Sequence, residues 1–385
     1  MSASQALSLL LVMLAVAVLP GVSRLLRLPS AVAEILFGVA LGKSLLAFNP
    51  GGDWMPFLAQ LGFLLLMFSA GAELDFTLLG RQGRRQIAFQ LTLFAATLGL
   101  AGLAAWVLDR GAFMTLVLTT TSLGLVMPVL RESGQAKTSL GQTILMAATL
   151  ADFLTLLAIT VFVLAHRSGL SWALLRPLPL FAGFAVMLWA FRRWAWWNPD
   201  KAEKLLRSGD PQEQGVRLTL ALLFLFVGAS ELVHLEPVLG AFLGGCILSF
   251  VYREKKSLES KLSGLGFGFL VPLFFIHVGM GFDVKSVLGW EQLSFALLLL
   301  AVAVGVKVLP GLLFPLWGRP LSDGLLAGVL LSSRLSLIVA AAAIGVEQGF
   351  LTPQIKDAVV LLALLTCTLG PVGFKVLAKR RPNRG

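Results

Sequence analysis

One segment of the chain reads Met146-Ala-Ala-Thr-Leu-Ala-Asp-Phe-Leu-Thr-Leu-Leu157, and Asp152 is the single charge in it. The segment lies inside an apolar run at residues 140–165. At about 1.5 Å per residue, such a run crosses the roughly 30 Å hydrocarbon core of a bilayer as a helix. A carboxylate at mid-depth costs about 2.5 to 3.5 kcal/mol, so membrane proteins that keep one generally bind or move something with it. Two later apolar runs carry the bases Lys307 and Arg334, and together the three charges predict a transport site.

The composition is typical of a polytopic membrane protein. Apolar residues make up 57% of the 385, and charged residues only 13%, whereas soluble domains contain about 25% charged residues. We therefore expect one all-α membrane transport domain over residues 1–385, with the lipid bilayer as its surroundings. The net charge of +11 comes from basic residues in the short loops, which indicates membrane topology and no nucleic-acid partner.

Neither the cysteines nor the histidines predict a cofactor. Cys246 and Cys367 lie within apolar runs, which favours packing. His166, His234 and His277 are far apart in the sequence and lack an acidic cluster, so zinc-ligand spacing is missing. We expect no metal beyond a transported alkali cation. We also expect no enzymatic activity, because the sequence pairs no nucleophile with a base at a membrane face.

The hydropathy pattern predicts about 13 transmembrane helices. Their approximate residues are 5–23, 30–48, 55–75, 86–108, 112–130, 140–165, 172–191, 215–233, 236–252, 262–282, 291–316, 321–346 and 353–377. Alternate connections then carry 22 Lys and Arg residues on one side of the membrane and 6 on the other. Because cytoplasmic loops are enriched in Lys and Arg, we expect the amino terminus outside and the carboxyl terminus in the cytoplasm.

The sequence also predicts an internal repeat. The polar, basic segment 192–214 reads as a cytoplasmic linker between a first half, 1–191, and a second half, 215–385. Gly38 matches Gly244 and Gly62 matches Gly268 at one common offset of 206 residues. An odd number of spans separates the matched helices, so the repeat is inverted in the membrane. Inverted repeats whose interrupted helices meet at mid-depth are typical of secondary transporters.

Each half contains one span that we expect to be discontinuous. The first is interrupted near 119–124 and the second near 331–336, where hydroxyls, a glycine and an arginine break an apolar pattern. Unwound backbone at this depth is tolerated where it lines a cavity or is buried in protein. The residues predicted to line the cavity are Thr120, Thr121, Ser122, Gly124, Ser332, Ser333 and Arg334. The alternative is that the hydroxyls bond back to their own helices.

Asp152 and Lys307 are the predicted binding residues for the ion and the proton. Asp152 lies on the helix after the first break and Lys307 on the helix before the second, so we expect them to converge. A desolvated carboxylate can hold a proton or a cation but not both, which is sufficient for exchange. The alternative is a buried structural ion pair. Glu34, early in the second span, is interpreted as a structural charge.

Several motifs resemble the second family of monovalent cation:proton antiporters, which includes the Kef-type and Nap-type transporters with the NhaA-like fold. The resemblance rests on residues 27–42 and 61–75, Thr121-Ser-Leu-Gly124, Val129-Leu-Arg-Glu132, Leu239-Gly-Ala-Phe-Leu-Gly-Gly245 and Pro272-Leu-Phe-Phe-Ile-His-Val-Gly279. It implies two crossed discontinuous helices in a core domain that moves against a fixed dimerisation domain, within a homodimer.

By motif position, Asp152 resembles the family's ion-binding aspartate and Lys307 the lysine of its tenth helix. The chain departs from the family at Ala151, where many members have a carboxylate or an amide, and at Arg334, near which others have an acid. We therefore predict secondary active exchange of Na⁺ or K⁺ for H⁺ across a bacterial-type inner membrane. The alternative is a diverged protein of the same fold that acts as a gated leak, a sensor or an organic-anion carrier.

Overall fold

All regular elements in the described part of the chain are helical. The computed structural model describes residues 3–26, 28–43, 45–48, 53–72, 83–168, 177–197, 213–233, 235–251, 256–284 and 289–379. The first helices are α1 Ala3–Leu26, α2 Ser30–Leu41, α3 Trp54–Ala72, α4 Arg84–Val107, α5 Gly111–Thr119, α6 Leu123–Glu132, α7 Ser139–Ser168 and α8 Pro177–Trp197. The others are α9 Gln214–Leu232, α10 Pro237–Val251, α11 Lys256–Leu265, α12 Val271–Met280, α13 Trp290–Val308, α14 Leu321–Leu331, α15 Ser336–Glu347 and α16 Pro353–Lys379.

Two short segments modify this pattern. A π-helical turn, Gly266–Leu270, joins α11 to α12, and a 3₁₀ segment, Leu309–Trp317, continues α13. The 3₁₀ segment begins where Pro310 removes a backbone donor from the helix. Such local changes of helical hydrogen bonding often mark functional regions, and here the change falls just after Lys307.

The all-helical membrane fold is confirmed. Among the described residues, 9 helical stretches are long and apolar enough to cross a bilayer, and the bent pair α14 and α15 adds one more. The 9 include Gly111–Glu132, which runs through α5 and α6, and Lys261–Met280, which runs through α11 and α12. Three other predicted spans coincide with shorter apolar helices, Ser30–Leu41, Leu178–Met187 and Pro237–Ser249. The count of 13 spans therefore stays a prediction, as do the inverted repeat and the side on which each terminus lies.

The chain forms two compact units. The first unit combines residues 1–76 with 160–281, and the second combines 77–159 with 282–385. Each unit takes helices from both sides of the segment 192–214, whose role as a linker stays a prediction. Helix α8 extends to Trp197, past the predicted start of that linker, and residues 198–212 lie outside the described part.

Glycines allow close helix packing in the first unit. A β-carbon on Gly71 of α3 would overlap the Phe242 carbonyl of α10, and one on Gly245 of α10 would overlap the Phe68 carbonyl of α3. The two backbones therefore touch at both positions. Small residues are the usual means of such contact in membranes, because lipid gives apolar helices no hydrophobic reason to associate.

We expect Gly245→Ala to destabilise the protein by about 1 to 3 kcal/mol, because the added methyl forces α3 and α10 apart. Thermal unfolding in detergent should therefore begin at a lower temperature than for the wild type. Gly228→Ala in α9 is the matched control, since a β-carbon there meets nothing within 4 Å. Equal melting temperatures for the two variants would contradict the close contact.

Candidate ion-binding site

The first predicted break is present in the second unit. Helix α5 ends at Thr119 and α6 begins at Leu123, and Thr120 and Ser122 between them have non-helical backbone. The hydroxyl of Thr119 donates to the Thr115 carbonyl at 2.7 Å, and that of Thr120 donates to the Val117 carbonyl at 2.7 Å. Side-chain hydroxyls thus compete with the helical pattern at the point where it stops. The alternative that hydroxyls bond back to their own helix holds for these two threonines.

Asp152 caps the helix that begins after this break. The Leu123 N–H donates to Asp152 Oδ2 at 3.0 Å. Asp152 lies on a different helix, α7, and is only 7% exposed. The first N–H groups of a helix lack intrahelical acceptors and carry partial positive charge. The carboxylate therefore supplies both the missing acceptor and the opposite charge. Its second oxygen, Oδ1, has no hydrogen-bond partner among the described residues.

Lys307 caps the helix that ends before the break. Its Nζ donates to the Thr119 carbonyl at 2.6 Å and to Thr121 Oγ1 at 2.7 Å. The last carbonyls of a helix carry partial negative charge, so an ammonium group stabilises this end. Lys307 lies in the last turn of α13 and is buried. The acid and the base thus occupy opposite ends of the same interruption.

Asp152 and Lys307 lie close enough for their charges to interact, and Lys307 also interacts with the charge of Arg334. Among the described residues, however, no direct ion pair joins the two groups. Each is bonded to the interrupted helix instead. The alternative of a simple buried ion pair therefore does not describe this site.

The second predicted break is also present in this unit. Helix α14 ends at Leu331 and α15 begins at Ser336, and the two segments are bent by 52°. Arg334 lies between them with 0% of its surface exposed, and its Nη2 donates to the Ala303 carbonyl at 2.7 Å. The Oγ atoms of Ser122 and Ser336 are 3.5 Å apart, so the two interruptions meet.

The remaining predicted residues have differing positions. Ser332 donates to the Val329 carbonyl at 2.7 Å, whereas the buried Ser333 hydroxyl has no partner among the described residues. Gly124 lies inside α6 on an exposed side, after the break rather than in it. Glu34 is buried in α2, in the other unit.

Three polar residues of this unit were not predicted as site residues. Gln90 is a buried amide two turns into α4, Thr155 follows Asp152 by one turn of α7, and Ser336 begins α15. Gln90 and Thr155 each have a buried oxygen without a partner among the described residues. A search for side-chain amides inside apolar runs would have found Gln90. Thr155 resembles the many membrane threonines that bond to their own helix, so its sequence carries no such signal.

Two discontinuous helices that meet at buried polar and charged residues are typical of secondary transporters. The chain matches the family model described as sodium/hydrogen exchanger, transmembrane, over residues 10–380. It belongs to that family. The resemblance drawn from the motifs is confirmed at the level of cation:proton antiporters. The assignment to the second family of these antiporters was slightly wrong, since the matching model is that of the sodium/hydrogen exchangers.

Individual relatives extend this comparison. A candidate Na⁺/H⁺ antiporter of Bacillus subtilis is 32% identical over 92% of this chain, which spans 60% of that relative's length. A Na⁺/H⁺ antiporter of Enterococcus hirae is 27% identical, with 97% of both chains covered. A Na⁺/H⁺-K⁺ antiporter of Bacillus cereus is 25% identical over 90% of this chain and 89% of its own.

A solved structure supports the fold. The sodium proton antiporter from Methanocaldococcus jannaschii, determined at pH 8, superposes with a TM-score of 0.69 over 96% of each chain, at 15% sequence identity. At this identity the likeness establishes the architecture alone.

We expect the cap on α6 to contribute to stability separately from transport. Asp152→Asn keeps an oxygen that can accept from the Leu123 N–H, whereas Asp152→Ala removes it, at a cost of about 0.5 to 2 kcal/mol. The alanine variant should unfold at a lower temperature than the asparagine variant in detergent. If the two melt together, the hydrogen bond to Leu123 does not stabilise the break.

Proposed function

We propose that the protein exchanges Na⁺ or K⁺ for H⁺ across the membrane by alternating access, with cation and proton competing for Asp152. The observation that carries the proposal is that only one of the two oxygens of this carboxylate accepts a hydrogen bond. Oδ2 holds the end of α6, while the buried Oδ1 has no partner among the described residues. A buried, unpartnered carboxylate oxygen beside unwound backbone is suited to a proton or to a dehydrated cation.

Backbone carbonyls at the break can complete a cation site. No backbone N–H of the described residues donates to the carbonyls of Thr120 or Thr121, which lie in the interruption before α6. Unwound carbonyls of this kind can replace the water around an alkali cation. Together with Asp152 Oδ1 they are three candidate ligands, all oxygen atoms of the hard type that Na⁺ and K⁺ both accept.

The fixed charges favour a stoichiometry above one proton per cation. Arg334 stays protonated at all physiological pH values. When Asp152 and Lys307 are also charged, the three groups sum to a net charge of +1, which opposes an entering cation. Release of one proton from Lys307 as the cation binds removes this opposition. Two protons, one from Asp152 and one from Lys307, then move for each cation.

The relatives support this cargo. The Enterococcus hirae protein is a Na⁺/H⁺ antiporter and the Bacillus cereus protein a Na⁺/H⁺-K⁺ antiporter, so the proposal includes both alkali ions. It also includes a homodimer, an outside amino terminus and a cytoplasmic carboxyl terminus. The homodimer follows from the family resemblance, and the orientation from 22 basic residues against 6 in alternate connections.

An anion carrier of the same fold is the second candidate. Arg334 Nε and Nη1 have no hydrogen-bond partners among the described residues, and a buried guanidinium with free donors suits a carboxylate. A gated leak or a sensor would share this fold but would not couple two ions. Proteoliposomes that hold a pH gradient distinguish these candidates, because collapse on addition of Na⁺ or K⁺ requires exchange.

We expect Asp152→Asn to abolish exchange, because the amide can bind neither a proton nor a cation in competition. The measurement is the collapse of a pH gradient in proteoliposomes after Na⁺ or K⁺ is added. Glu132→Gln is the matched control, since that carboxylate is 63% exposed and pairs with Lys375 at the surface. More than a tenth of wild-type activity in Asp152→Asn would move the binding site elsewhere.

We expect Lys307→Gln to make exchange slower and insensitive to membrane potential, because Asp152 then remains as the one proton carrier. Wild-type exchange should respond to an imposed potential, since two protons against one cation move net charge. Vesicles with K⁺ gradients and valinomycin provide the potential for a Na⁺ assay. The same voltage dependence in both proteins would assign Lys307 a structural role and favour one proton per cation.

A further inference from the structure

A small cavity lies beside Lys307 in the second unit. The centre of a water molecule can lie anywhere within about 30 Å³ of its interior. That is room for about two waters. Its walls come from α4, α7, α13, the 3₁₀ segment, α14 and the first break. The polar residues that line it are Gln90, Thr97, Thr121 and Lys307.

Gln90 provides an unused acceptor at this cavity. Its side chain is 2% exposed, and its Nε2 donates to the Thr143 carbonyl of α7 at 3.1 Å. That bond fixes the amide, yet Oε1 has no partner among the described residues. A buried amide oxygen without a hydrogen bond costs about 1 to 3 kcal/mol, so it generally binds an ordered water where space permits.

Lys307 provides an unused donor on the same cavity. An ammonium group has three N–H donors, and two of them are directed to Thr119 and Thr121. The cavity therefore borders one base with a spare proton and one amide with a spare acceptor. Ala151 also lines it, so the small side chain before Asp152 helps to leave this space open.

We propose that the cavity is a hydration site that links Lys307 to Gln90. A water molecule in it accepts a hydrogen bond from the free N–H of the Lys307 ammonium and donates one to Gln90 Oε1. Gln90 thus holds in place the water to which Lys307 passes its proton during exchange. The inference rests on the proposed function, in which Lys307 releases a proton when the cation binds. Asp152 and Arg334 are the other ionisable groups that act on this amine.

Neighbouring contacts close one side of the cavity. Phe314 lines the cavity and packs edge to face on Phe89, with ring centroids 5.1 Å apart. One turn before Gln90, Gln86 Oε1 accepts from Arg319 Nη2 at 3.3 Å, and the Arg319 guanidinium lies 5.9 Å from the Phe89 ring. These contacts separate the cavity from the end of α4 that the distribution of basic residues predicts to be cytoplasmic.

Exchange rates and cation affinity test the transfer step. Gln90→Leu removes the acceptor and Ala327→Val fills the cavity, and each should slow Na⁺-driven collapse of a pH gradient about tenfold, since positioned proton acceptors commonly contribute at least this much. Na⁺ affinity, measured by binding of radioactive Na⁺ to purified protein, should stay within about twofold, because Asp152 and the break are untouched. Thr92→Val, at an exposed hydroxyl on α4 that is bonded to the Ala88 carbonyl, is the control.

Hydration can be measured without transport. Radiolytic hydroxyl-radical labelling reports side chains that contact trapped water. Phe314 and Phe113 are both 2% exposed, but only Phe314 lines the cavity. Phe314 should be labelled more than Phe113 in the wild type, and the difference should disappear in Ala327→Val.

Either of two results would overturn the inference: equal labelling of the two phenylalanines in the wild type, or wild-type exchange rates in both Gln90→Leu and Ala327→Val. A wild type that shows no Na⁺ or K⁺ exchange while Phe314 is labelled would instead count against the proposed function, so the two failures can be told apart.

Discussion

Helices α5 and α6 are separated by an interruption, and the backbone groups at its two ends need hydrogen-bond partners. The rest of the site depends on which residues supply these partners. An interruption inside a membrane domain leaves carbonyls at one helix end and N–H groups at the other without partners or water. Lys307 binds the first end and Asp152 the second. The groups that stabilise the break are therefore the same titratable groups that the proposed function uses, so in that proposal a change in their protonation also changes the hydrogen bonds at the two helix ends.

The charged residues at the two breaks do not balance, since Asp152 is acidic and both Lys307 and Arg334 are basic. Arg334 cannot lose its proton, and its one hydrogen bond among the described residues goes to a backbone carbonyl of α13, the helix that carries Lys307. A permanent positive charge close to a titratable amine opposes any further cation. Ala151, which precedes Asp152, adds no charge to offset this excess, and its small side chain lines the same cavity as Gln90.

Sequence reasoning located both breaks within a few residues, because consecutive β-branched and hydroxyl side chains disturb a helix wherever they occur. It was less accurate about single side chains. Gly124 lies in α6 rather than in the break, and Thr119 and Thr120 bond to their own helix while Thr121 faces Lys307. Which hydroxyl turns inward depends on the rotation of α5 about its axis. Neighbouring helices set that rotation, and the local sequence does not encode it.

By itself, the sequence determined that this chain forms apolar membrane helices and that three apolar runs contain a charged residue, because apolar length and the position of a charge within a run are local properties. The tertiary structure decided the pairing of groups far apart in the chain. Lys307 reaches Thr119 across 188 residues, and Ser122 meets Ser336 across 214. It also decided that Asp152 and Lys307 bind opposite ends of one break rather than each other, and that Gln90 borders a cavity. These features follow from how helices pack and rotate against one another, which no single segment specifies.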